Sequence, residues 1–134
     1  MSSDRLKFQN CKILVVDDEK PLVELVDIIL SSYGAEVIAT TSSDEALRLF
    51  IERKPDLVVS DIAMPGMDGH DLIRCIRNLT PDQGGQVPAL ALTAFGDSRT
   101  KQKALTAGFH NFLVKPVDLY VLVSVCSGLI KVSR

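Results

Sequence analysis

The chain has 134 residues, 46% of them hydrophobic and 24% charged, enough to build one domain with a real core. A net charge of −2 leaves no basic footprint and argues against direct nucleic-acid binding. Three scattered cysteines, Cys11, Cys75 and Cys126, and two distant histidines, His70 and His110, give neither a disulfide framework nor zinc-ligand spacing; this fits a reducing cytoplasm.

The segment from Met1 to Asn10 is polar and charged and carries no secretory pattern. Ile13-Leu14-Val15-Val16 reads as a buried strand ending in Asp17-Asp18-Glu19. Pro21 then opens a helix whose apolar residues Leu22, Leu25, Val26 and Ile29 recur at helical spacing, and Gly34 closes it. Glu36 to Thr40 is a second strand. Ser42-Ser43-Asp44-Glu45 spells a capping box ahead of Ala46, Leu49 and Phe50. Pro55 forbids further helix, and Leu57-Val58-Val59-Ser60-Asp61 follows as a fully buried central strand.

The loop Met64-Pro65-Gly66-Met67-Asp68-Gly69 leads to a helix marked by Leu72, Ile73 and Ile76, running to about Leu79. Pro81 to Gly85 is a loop by composition. Ala89 to Leu92 is a strand ending at Thr93. Asp97 to Ala107 is a weakly amphipathic helix, with Ala104 and Leu105 its main apolar residues and Gly108 its cap. Phe112-Leu113-Val114 is the last strand, ending at Lys115-Pro116, and Val117 to about Gly128 the last helix. Val121, Val123 and Val125 alternate as a strand would, but the preceding rhythm decides for helix. The longest apolar stretch, Leu119 to Ile130, is too short for a bilayer, which needs roughly 20 residues, so no membrane is involved. Strands alternating with helices predict an α/β fold, a doubly wound five-stranded parallel sheet with helices on both faces. One domain is expected over residues 1–134, with its core at about 12–130.

In such a sheet the strand ends share one edge, where open α/β folds bind ligands. Asp17, Asp18, Asp61, Thr93 and Lys115 therefore converge on one crevice. Each singly has an ordinary explanation as a cap or turn former; their coincidence on one edge does not. Paired carboxylates at ~4 Å repel by about 4 kcal/mol at an effective dielectric near 20. A divalent cation relieves this, and oxygen ligands without imidazole or thiolate favour Mg²⁺ or Mn²⁺. One carboxylate is then free to act as nucleophile toward phosphorus, with Lys115 and Thr93 as donors to the phosphoryl oxygens.

These residues, with the Met64 to Gly69 loop after Asp61, Thr93-Ala94 and Lys115-Pro116, resemble the response-regulator receiver domain of two-component signalling over about Lys12 to Ile130. The Gly84 to Ala89 approach to the fourth strand looks like that of receivers attached to hybrid sensor kinases. The resemblance implies a flavodoxin-like sheet of order 2-1-3-4-5. It implies that Asp61 is the phosphoacceptor, taking its group from the phosphohistidine of a histidine kinase or histidine phosphotransfer protein in a phosphorelay. Asp18 and, through water, Asp17 would bind Mg²⁺ with Asp61 and the Ala63 carbonyl. Thr93 and Lys115 would hold the phosphoryl group, with a cis Lys115–Pro116 bond, and Thr93 and Phe112 would be the switch pair. The Phe112 side chain lacks the hydroxyl of the more usual Tyr, so its switching must rest on packing. In the family, Ala63 and Phe95 border the path of hydrolytic water, which predicts slow autodephosphorylation.

Two other readings compete. A phosphohydrolase of the haloacid-dehalogenase type wants a second Asp two residues after the nucleophile, where this chain has Ala63. A degenerate receiver acting only as a binding module usually loses an acidic, Thr or Lys position, and all five are here. The domain is thus expected to catalyse only its own phosphorylation and dephosphorylation. The chain ends soon after the last expected helix, so no output domain is expected in it. Output is expected as binding of a downstream protein, or self-association, through the helix from Asp97, the strand at Phe112 and the helix from Val117. Val121 and Val125 would widen the apolar stripe there.

Overall fold

A computed structural model describes residues 7–133; the part of the polar leading segment at residues 1–6 lies outside them. The strands are β1 (Lys12–Val16), β2 (Glu36–Thr40), β3 (Leu57–Asp61), β4 (Ala89–Thr93) and β5 (Asn111–Val114). The helices are α1 (Lys20–Ser32), α2 (Ser43–Arg53), α3 (Gly69–Arg77), α4 (Ser98–Ala107) and α5 (Leu119–Ser133). All four strand pairings are parallel, and the sheet order is β2-β1-β3-β4-β5.

The near-continuous apolar runs of β1, β3 and β4 follow from this topology. Each is covered on both faces, so successive side chains enter opposite cores. Leu14, Val16, Val58, Ala89 and Ala91 join Phe50, Leu72, Ile76 and Ala104 beneath α2, α3 and α4. Ile13, Val15, Leu57, Val59, Leu90 and Leu92 join Val26, Leu30, Leu122 and Cys126 beneath α1 and α5. The residue after β1 and the last residue of β3 both reach the same edge. Because the order reverses beside β1, a crevice opens there between outgoing loops.

Several element boundaries differ from those read in the sequence. The stretch after α3, read as plain loop, contains a single 3-10 turn at Pro81–Gln83, capped by the Thr80 side chain. The third helix stops at Arg77 rather than near Leu79. The last helix starts at Leu119, because the Asp118 carboxylate accepts from the Tyr120 and Val121 N–H groups and caps it there. It continues through Gly128 to Ser133; position 128 faces open space, so the glycine weakens the helix without stopping it. In α4 the buried residues are Ala104 and Ala107, while Leu105, one residue round the helix, is 43% exposed. Val125 on α5 is partly buried against the α1 side of the core, so Val121 widens the exposed stripe without it. No helix among the described residues is long and apolar enough to cross a membrane.

Candidate functional site

A cleft of about 250 Å³ lies at the carboxyl edge of the sheet, lined in part by Asp18, Asp61, Thr93 and Lys115. β1 delivers Asp17 and Asp18, β3 delivers Asp61, β4 ends on Thr93, and Lys115 follows β5 directly. The loop after β3 curls back so tightly that the Gly69 N–H bonds the Ile62 carbonyl at 2.8 Å. A Cβ at Gly69 would sit 2.2 Å from the Asp61 carbonyl oxygen. Only glycine lets α3 begin so close beneath the carboxylate it helps to position. Asp68 and Asp71 then cap α3 reciprocally.

Asp17 and Asp61 are buried and Asp18 is exposed; one carboxylate oxygen from each lies within 4.8 Å of the others. Lys115 Nζ stands 2.9 Å from Asp17 Oδ2, 3.4 Å from Asp61 Oδ1 and 3.5 Å from Glu19 Oε2. One ammonium thus serves three carboxylates, and burial adds to the cost. Desolvation, then the neighbouring Asp17 charge, pushes the Asp61 carboxyl from 3.8 up to about 6, against the opposing pull of Lys115. Burial likewise raises Asp17, partly offset by its hydrogen bond from the Glu19 N–H. Lys115 is held above the ordinary lysine value: burial lowers it, and the close ion pair with Asp17, with the charges of Asp61 and Glu19, outweighs that.

This arrangement fits a hard divalent cation. Asp17 Oδ2 is buried and, though close to Lys115, accepts no well-directed hydrogen bond among the described residues. An under-satisfied buried carboxylate oxygen beside two more carboxylates is the donor set that Mg²⁺ takes. Thr93 is buried at the same edge, with its hydroxyl accepting from the Phe95 N–H at 3.1 Å and donating to the Phe95 carbonyl at 3.2 Å. Ala63 lines the cleft, and Phe95, 67% exposed, stands at its mouth. The Lys115–Pro116 peptide bond is cis.

Phe112 lies apart from the cleft. It is half-buried against the α2-α3-α4 core, with Lys101 Nζ 4.9 Å from its ring centroid. The residue that sequence reasoning missed is Glu19. It was visible only as the third acid of a run, and only the α1 start turns it toward Lys115.

A doubly wound sheet of order 2-1-3-4-5 carrying an acidic triad and a lysine at its switch point defines a receiver. The family model of the response regulator receiver domain matches residues 13–127, and the chain belongs to that family. It is accordingly a signalling module of two-component systems rather than a true enzyme. It is 44% identical over 106 residues to the "Uncharacterized 14.6 kDa protein in sodA1 3'region" of Leptolyngbya boryana, covering 79% of each chain. Other curated relatives are longer: the chain spans 39%, 23% and 48% of the length of three of them. Among solved structures, a putative response regulator from Chloroflexus aurantiacus superposes with a TM-score of 0.84 at 30% identity, covering 90% of this chain and 98% of that one. The signal receiver domain of a signal transduction histidine kinase from Syntrophus aciditrophicus gives 0.82 at 31% identity, covering 92% of both. Receivers of both settings therefore resemble this chain, and attachment to a hybrid kinase does not follow.

Proposed function

We propose that residues 1–134 act as one phosphoacceptor receiver domain in the cytoplasm, in which Asp61 takes a phosphoryl group from the phosphohistidine of a histidine kinase or histidine phosphotransfer protein. The observation that carries the reading is the Asp61 carboxylate, buried at the end of the central strand with Lys115 3.4 Å away and two further acids beside it. An Asp61 oxygen attacks phosphorus, the P–N bond of the donor breaks, and its electron pair returns to the histidine ring nitrogen. Lys115 and Thr93 are placed to meet the equatorial oxygens, where charge collects in the transition state. Asp17, Asp18, Asp61 and the Ala63 carbonyl would hold Mg²⁺, with Mn²⁺ an acceptable substitute. Bound there, the ion supplies charge neutralisation at the phosphoryl oxygens.

Thr93 must leave its turn with Phe95 to reach a phosphoryl group on Asp61. That movement vacates space toward Phe112, whose ring is already half-buried and gains on the order of 1 kcal/mol by completing its burial. Only Ala104 and Ala107 of α4 are buried, so that helix re-seats at modest cost. The α4-β5-α5 face then changes its affinity for a downstream protein or a second copy. The test is treatment with acetyl phosphate or phosphoramidate, with and without Mg²⁺, read by mass. One phosphoryl group is expected on wild type with Mg²⁺ and none on Asp61→Asn. Equal labelling of the variant refutes the assignment.

A further inference from the structure

We infer that Glu19 determines which phosphodonors the site accepts, acting as a charge gate that disfavours the most negative ones; this rests on Asp61 being the phosphoacceptor. Glu19 occupies the N-cap position of α1, where Ser, Thr, Asp or Asn would accept from the first turn, yet its side chain makes no cap bond. Its backbone does all the local work: the N–H donates to Asp17 Oδ1 at 2.9 Å, and the carbonyl accepts from the Leu22 and Val23 N–H groups. The carboxylate is turned instead over the cleft, 3.5 Å from Lys115 Nζ, on a side chain 60% exposed.

A local rule broken beside a site marks a residue kept for another purpose. Asp17, Asp18 and Asp61 are the acids grouped to hold a cation; Glu19 stands outside that group. Among the described residues its charge is balanced by a share of Lys115. An incoming phosphoryl group needs that same ammonium and must pass the same carboxylate. Glu19 therefore opposes a donor twice, by repulsion at the mouth and by competition for Lys115. Both effects scale with the negative charge that the donor brings.

Acetyl phosphate, a dianion near neutral pH, and phosphoramidate, a net monoanion, separate charge from leaving-group chemistry when each rate is compared between variants. At low salt, Glu19→Gln should raise labelling of Asp61 by acetyl phosphate about threefold, and by phosphoramidate by clearly less. Glu19→Asp should keep the wild-type ratio of the two rates. The gain should shrink near 0.5 M KCl, where the Debye length falls to roughly 4 Å and the repulsion of an approaching donor is screened. Independently of turnover, beryllofluoride affinity read by fluorine NMR should tighten about threefold in Glu19→Gln. A donor ratio and beryllofluoride affinity unchanged in Glu19→Gln, with wild type labelled normally, overturn the gate alone, as does a gain that high salt leaves undiminished. Absence of any label on wild-type Asp61 overturns the phosphoacceptor reading, and the gate falls with it.

Discussion

Replacing Asp61 by Asn should make the metal-free protein more stable, even though it removes a partner of the buried lysine. The side chain of Asp61 is 5% exposed, and its carboxyl titrates at about 6 rather than 3.8. That displacement already includes the favourable pull of Lys115. At about 1.4 kcal/mol per tenfold change, holding the group ionised in the fold costs about 3 kcal/mol at neutral pH. Asn keeps the shape without the charge, and Lys115 keeps Asp17 at 2.9 Å. Allowing for relaxation, a gain of about 1–3 kcal/mol is expected, or about 3–10 °C in Tm for a domain of this size. The sign with pH follows from linkage. Between 3.8 and about 6 the folded state binds the proton more tightly than the unfolded state, so folding stability falls as pH rises. The difference between variant and wild type should therefore be complete above pH 6 and close as pH falls toward 4. Millimolar Mg²⁺ should also close it, by stabilising wild type and leaving the variant nearly unmoved. Calorimetry of both proteins at pH 7.5 and pH 4.5, with EDTA or Mg²⁺, reads every arm. A variant no more stable than wild type at pH 7.5 in EDTA would refute the reasoning that the acids are crowded at a cost.

Gly69→Ala places a methyl 2.2 Å from the Asp61 carbonyl oxygen, so chemical denaturation should show a loss of at least about 1–3 kcal/mol, with phosphorylation slowed as the loop moves. Phe95→Glu, at the cleft mouth, should shorten the phosphoryl lifetime severalfold by offering water a polar partner where wild type has an apolar ring. Loss of label after donor removal measures it, and an unchanged half-life removes Phe95 from the water path. Phe112→Ala and Tyr120→Asp/Val121→Asp should still be labelled on Asp61 but lose any phosphorylation-dependent association, followed by light scattering with beryllofluoride. Association equal to wild type in both moves the output surface elsewhere.

The sheet was legible in the sequence because its signal is local and redundant. Each of the runs at Ile13, Leu57 and Ala89 is apolar without alternation, which two-sided burial demands, and each is fenced by Pro, Gly or an acid. The acidic crevice was legible for a topological reason. Parallel strands bring their ends to one edge whatever the details of packing, so Asp17, Asp61, Thr93 and Lys115 meet by connectivity alone. Helix ends were less legible because caps compete over one or two residues: Asp118 caps α5 so that it starts at Leu119 rather than Val117, and exposed Gly128 leaves it unbroken. The phase of α4 was not legible because Ala104, Leu105 and Ala107 differ little in their apolar character. Only the sheet beneath decides that Leu105 faces outward. The partition of one ammonium among Asp17, Asp61 and Glu19, and the turn holding Thr93 to Phe95, belong to tertiary structure entirely. They are set by distances between side chains from four different strand ends and one helix start, and no residue's neighbours along the chain contain them.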